Sequence, residues 1–282
     1  MPPESRAIFA EWSPPFFLTG TLIVVGLVYT RGWFVIRKTR RAQFPPWRLG
    51  FFLLGLATIW VAIASPLDGF ADVMLSAHMV EHLLLMSFAP PLLLIGWPVV
   101  PLLRGLPRGV TVYLLGPLIR IEPLRHLGLV LTTPLVAWLA MNLIFLGWHV
   151  PAAYDFALEH EHWHEFEHLC FLGTSILFWW PIIRPWPTRE SYNGWLLLLY
   201  LVMADIVNTV LSAFLVFCDR PVYPYYLREP NPFHISPLSD QRAGAVVMWV
   251  IGSLIFLIPA LVLTVRLLQH DGRPRGMNPS FD

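Results

Sequence analysis

The chain has 282 residues, 56% of them hydrophobic and only 13% charged, about half the charged share of a soluble domain. Its mean hydropathy is +0.60. These values exclude a water-soluble enzyme and a disordered chain, and two cysteines exclude a disulfide scaffold. What remains is an all-α polytopic membrane protein in a lipid bilayer, with no nucleic-acid partner expected. The formal net charge of +1 says little by itself.

A bilayer-spanning helix needs about 20 mostly apolar residues. Seven segments qualify in chain order: Phe16–Ile36, Leu49–Ala64, Val73–Ile95, Leu129–Trp148, His164–Ile183, Trp195–Phe217 and Ala243–Leu263. The apolar runs are continuous rather than alternating, which argues against a β-barrel. Prolines punctuate the joints, from Pro45-Pro46 through Pro66, Pro98, Pro123, Pro151 and Pro185 to Pro237. Pro90-Pro91 falls inside the third span and predicts a kink there. No repeat, soluble domain or basic signal-peptide region is expected.

Lys and Arg set the orientation. Arg37, Lys38, Arg40, Arg41 and Arg48 follow span one. Arg104, Arg108, Arg120 and Arg125 follow span three, and Arg184 and Arg189 follow span five. Arg266, Arg273 and Arg275 lie in the tail. All seven spans fit one solution, with the N-terminus outside and the C-terminus in the cytoplasm. On that topology four basic residues face thirteen acidic ones outside, and fifteen face four inside, with Asp205 in between. The near-zero net charge is thus a cancellation across the membrane. Its acidic outer side would attract a cation.

The same topology sorts the histidines. His126 and His270 fall in the cytoplasm. His78, His82, His149, His160, His162, His164, His168 and His234 fall at or near the outer face. His78 and His82 are i,i+4 and share a helix face. His164 and His168 repeat the spacing. A helical histidine pair of this kind is a common way for two imidazoles to meet one metal. Span three continues the row as Met74, His78, His82, Met86, and thioether beside imidazole suits copper, particularly Cu(I). The candidate metal ligands are therefore His78, His82, His149, His164 and His168. Glu81, Glu161 and Glu165 are candidates to orient them or to ligate. His160, His162 and His234 read as hydrogen-bonding or exposed residues instead.

Other intramembrane polar groups form a second set. Asp205, Asn208, Thr209 and Ser212 make one stripe on span six. An ionisable residue at that depth is a functional-site hypothesis, set against a structural network with Asn142. Asp240 opens span seven, as a helix N-cap or as an extra ligand. Cys170 and Cys218 form no CxxC unit and read as small apolar residues. His164-Glu-Phe-Glu-His168 satisfies HExxH, which in a zinc hydrolase would make Glu165 the base. Facing histidines on two spans also suit a b-type haem. A structural subunit of a respiratory complex is the remaining reading.

The run from Ser65 to Pro98, including Ala77-His-Met-Val-Glu-His-Leu83, resembles the multi-span CtaG family of cytochrome c oxidase assembly factors. The resemblance extends to Trp148-His-Val-Pro-Ala-Ala-Tyr-Asp155, to His164-Glu-Phe-Glu-His168 with Phe178-Trp-Trp-Pro181, and to Pro237-Leu-Ser-Asp-Gln-Arg-Ala-Gly-Ala-Val-Val-Met-Trp249. It implies a bacterial plasma-membrane protein that aids maturation of a haem–copper oxidase, with oxidase subunits or other respiratory membrane proteins as partners. It also implies a metal-binding assembly factor more than an enzyme. His78, His82, His149, His164, His168 and Asp240 are the motif positions. Where the family usually has glutamine, this chain has Glu81, which adds a charge beside the expected site.

Overall fold

The computed structural model describes residues 12–188, 192–229, 231 and 233–271, and the described residues are helical without strands. Arg189, Arg273 and Arg275, and the acidic residues of the first eleven positions, lie outside them, as does the side chain of His270. Seven long helices organise the chain: α1 (Phe16–Arg37), α2 (Pro46–Ile63), α3 (Leu75–Ile95), α4 (Pro134–Trp148), α5 (Glu161–Ile183), α6 (Gly194–Phe217) and α7 (Pro237–Asp271). Six of these are long and apolar enough to cross a membrane. The exception is α4, whose 15 residues rise about 22 Å. It passes the same test only together with the preceding helix Glu122–Leu131, and the two are bent by 71°.

This corrects the expected fourth span, Leu129–Trp148. Thr132 and Thr133 end one helix with their hydroxyls bonded to the carbonyls of Gly128 and Val130. Pro134 then starts the next at the position where a missing N–H costs nothing. The last helix is longer than its expected core, starting at Pro237 rather than Ala243. In α3 the turn Leu84–Phe88 widens to π-helical geometry just before Pro90. The extra residue in that turn accommodates the proline, as π-turns in helices do at constrained places.

α3 is the central element, and both its ends are tied. At its N-terminus the Asp240 carboxylate of α7 accepts the Leu75 amide at 2.7 Å, the Ser76 amide at 3.4 Å and the Ser76 hydroxyl. At its C-terminus the Arg48 guanidinium donates to the Ile95 carbonyl at 2.7 Å and covers the Trp97 ring. The Tyr29 hydroxyl donates to the Gly96 carbonyl at 2.7 Å. Acid at the amino end and base at the carboxyl end match the helix dipole. Two apolar clusters flank α3. One joins it to α1 and α2 through Tyr29, Phe52 and Leu85. The other joins it to α4–α7 through Met79, Phe145, Phe171 and Leu201. Gly252 of α7 lets Asn208 of α6 approach, since a Cβ there would lie 2.7 Å from the amide nitrogen.

Candidate metal centre

α3 and α5 each present a histidine, a glutamate and a second histidine at i, i+3 and i+4: His78, Glu81, His82 and His164, Glu167, His168. That spacing puts all three on one face. The two faces meet in register. The His78 and His164 rings are 5.2 Å apart, and those of His82 and His168 are 5.8 Å apart. First meets first and second meets second, so both helices enter the layer from the same side. Along each helix the paired rings are close, 4.1 Å on α3 and 4.2 Å on α5. His149, which ends α4, adds a fifth ring 6.3 Å from His82.

The glutamates cross between the helices. Glu81 lies 3.2 Å from His168 Nε2, and Glu167 lies 3.7 Å from His82 Nε2. Two sets of donor atoms sit within 4.8 Å of one another: His78, His82 and Glu167, and His78, Glu81 and His164. His78 belongs to both. His78, Glu81, His82, His149, Glu167 and His168 are all buried, and His164 is half-buried.

A cation fits these residues on a specific observation. Both ring nitrogens of His78 and His82, both oxygens of Glu81 and Glu167, and Nε2 of His149, His164 and His168 have no aligned hydrogen bond. Such groups are rare in folded proteins, and each costs about 1–3 kcal/mol when left unmet. His149 is prepared in a further way. Its Nδ1–H donates to the Phe145 carbonyl at 2.7 Å, which fixes the tautomer and leaves Nε2 with a free lone pair, as in many metal-bound histidines.

Three tyrosines cover the layer. Tyr154 packs 5.0 Å from the His78 ring, and its hydroxyl is 3.2 Å from that of Tyr226. Tyr226 donates to the Ala71 carbonyl and Tyr223 to the His149 carbonyl. Nearby, the Asp72 carboxylate lies within electrostatic reach of those of Glu229 and Glu161.

Several expected residues are placed elsewhere. Glu165 is one residue, or about 100°, round α5 from His164. Its side chain is 69% exposed and faces the exposed His162 at 3.4 Å, whereas that of Glu167 is 1% exposed. The HExxH reading with Glu165 as base does not match this placement, because the Glu165 side chain turns to the exposed His162 and away from the rings. The inward pattern is His-x-x-Glu-His, present on both helices. Glu161 is exposed at the start of α5. Asp240 lies within the first turn of α7 and binds the amides of α3, so it is neither the cap of its own helix nor a free ligand. Met74 precedes α3 as its N-cap, while Met86 is buried beside the layer. Asp205 is half-buried with one oxygen unmet. Asn208 is buried and donates to the Met248 carbonyl at 3.3 Å, and Asn142 donates to the Trp138 carbonyl rather than to Asp205. Cys170 and Cys218 are free thiols.

Glu167 and the three tyrosines were not among the residues the sequence singled out. For Glu167 the signal existed, because it stands at i+3 from His164 as Glu81 does from His78. Tyr154 stood within the Trp148–Asp155 motif without being picked out, and for Tyr223 and Tyr226 no signal existed, since they come from a loop and a short helix.

A model of one family matches residues 27–270, most of the chain: the cytochrome c oxidase caa3 assembly factor family, Caa3_CtaG. The chain belongs to this family. Among curated proteins, an uncharacterised protein of Mycobacterium leprae (strain TN) is 28% identical over 279 residues, covering 96% of this chain and 42% of its own length. Uncharacterised proteins of Mycobacterium bovis and Mycobacterium tuberculosis are 28% identical over 278 residues with the same shares. The chain thus spans less than half the length of these relatives. No solved structure matches it.

Proposed function

We propose that this caa3 assembly factor binds copper in the five-histidine, two-glutamate layer and hands it to an oxidase subunit in the bacterial plasma membrane. Copper is the cargo, and the protein performs no chemistry on it. The observation that carries this reading is the set of seven buried or half-buried side chains from three helices whose donor atoms lack aligned hydrogen bonds. Imidazole and carboxylate together suit a transition-metal ion.

The sidedness belongs to the same proposal. The parallel entry of α3 and α5 supports a return crossing between them, which only the bent unit ending in α4 supplies. Seven crossings result, with the N-terminus outside. The charge division supports the same direction, and it puts the layer toward the outer face.

The test is metal content. The detergent-purified chain loaded with Cu(II) should retain it, and H78Q/H164Q, which keeps size and polarity, should lose at least about 90% of it. Membranes from cells carrying that variant should lose the oxidase's haem–copper absorption bands. Full Cu(II) occupancy in the folded variant would overturn the site.

A further inference from the structure

Beneath the histidine layer lies a second chamber with a different donor chemistry. Its lining includes Met79, Met86, Met141 and Met248, with the rings of His82 and His149 in the wall shared with the layer above. The methionines come from α3, α4 and α7. Each is buried, at 1–5% exposure, and they are the only fully buried methionines among the described residues. Every one of them lines this cavity. Methionine fills cores well, but a filler has no reason to collect four times around one void beside imidazoles. The cavity, about 20 Å³, exceeds the roughly 10–15 Å³ that a single water-sized particle needs. The lining also holds His82, with both ring nitrogens unmet, and His149, with Nε2 unmet.

The two compartments differ in hardness. The layer above offers imidazoles and two carboxylates, and the chamber offers four thioethers and two imidazoles, with the Ser87 hydroxyl and the Asn142 and Asn208 carboxamides but no carboxylate. Thioethers select soft monovalent ions and discriminate against hard ones. We infer that the chamber is a second cation site, specific for a soft monovalent ion such as Cu(I), which receives the ion from the layer above through His82 and His149. The entry route rests on reading that layer as a copper site, whereas the chamber's own affinity does not. The ion moves as Cu(I) throughout, so no electron is gained or lost. Thioethers also cannot be protonated, so the chamber's grip depends on pH only through the two imidazoles.

X-ray absorption tests this without mutation. The full chain is labelled with selenomethionine, purified in detergent and loaded anaerobically with one equivalent of Cu(I). A copper–selenium scattering shell is expected. Only methionine can produce it, so the thiols of Cys170 and Cys218 cannot mimic the result. Absence of selenium from the copper shell would overturn the chamber. In parallel, Ag(I) serves as a redox-inert probe and Cu(II) as a harder one. M141L/M248L, a volume-conserving change, should lower Ag(I) affinity at least about tenfold and leave Cu(II) binding unchanged. H78Q/H164Q should do the reverse. Unchanged Ag(I) affinity in M141L/M248L also overturns the chamber. Unchanged Cu(II) binding in H78Q/H164Q, with the selenium shell present, overturns the layer above and leaves the chamber standing.

Discussion

At the scale of single residues the centre turns on helical phase. Glu165 and Glu167 are two positions apart on α5, yet one is in solvent and the other is among the rings. E167Q removes a buried carboxyl group beside His82 and should weaken copper binding about 10- to 100-fold, the usual effect of losing an orienting or ligating carboxylate. E165Q should change it less than about twofold. Competition titration of the two purified variants measures both, and equal losses would show that Glu167 has no special place. The histidines were legible in the sequence because i,i+4 pairs stand out in an apolar span. Glu81 was legible for its position beside them. Glu167 carried the same i+3 signal, but the overlapping HExxH pattern, whose glutamate is at i+1, pointed to Glu165, and only the partner helix shows which side of α5 is buried. The clustering of Met141 and Met248 with Met86 was equally hidden, since they are far apart in sequence and meet only through packing.

At the scale of elements, what matters is how α3 is held. Its first amides are bound by Asp240 and its last carbonyl by Arg48, so the row His78, Glu81, His82 has a fixed height and rotation against α5. D240N keeps the shape but loses the charge that two amides and a hydroxyl share. It should cost about 1–3 kcal/mol and lower the thermal midpoint in detergent, with copper affinity falling as α3 loosens. D219N is the matched control, because Asp219 is exposed and only 3.9 Å from Arg242. It should leave both quantities unchanged, and an identical midpoint in D240N would refute the anchoring. Asp240 at the start of a helix is a natural N-cap candidate by sequence. That it serves α3 instead depends on the packing of α7 against α3, which no local pattern records. The break at Thr132–Pro134 was locally legible, from a proline with two threonines before it, but hydropathy runs smoothly across it and hides the bend.

At the scale of the whole molecule, the in-register meeting of α3 and α5 constrains how the chain is threaded. The chain leaves α3 at Ile95 and enters α5 at Glu161, and both helices start on the same side of the histidine layer. It must therefore come back between them, and the bent pair ending at Trp148 is the stretch available. The return also brings His149, at the end of α4, to the same layer as His82. On the proposed topology seven passes separate the two ends of the helical bundle, and the arginine-bearing segments after α1, α3 and α5 share the side that Lys and Arg favour. Two reporter fusions to the intact chain decide it. Alkaline phosphatase inserted after Arg228, between α6 and α7, should be active, because the proposed topology turns that loop outward. Green fluorescent protein at the C-terminus should fluoresce, because the same topology ends the last helix in the cytoplasm. The opposite pattern would invert the bundle and present the histidine layer to the cytoplasm, so that copper would have to arrive from inside the cell. An active phosphatase beside a dark C-terminal fluorescent protein would put both reporters outside, so that α7 does not cross and the seven-pass topology is wrong.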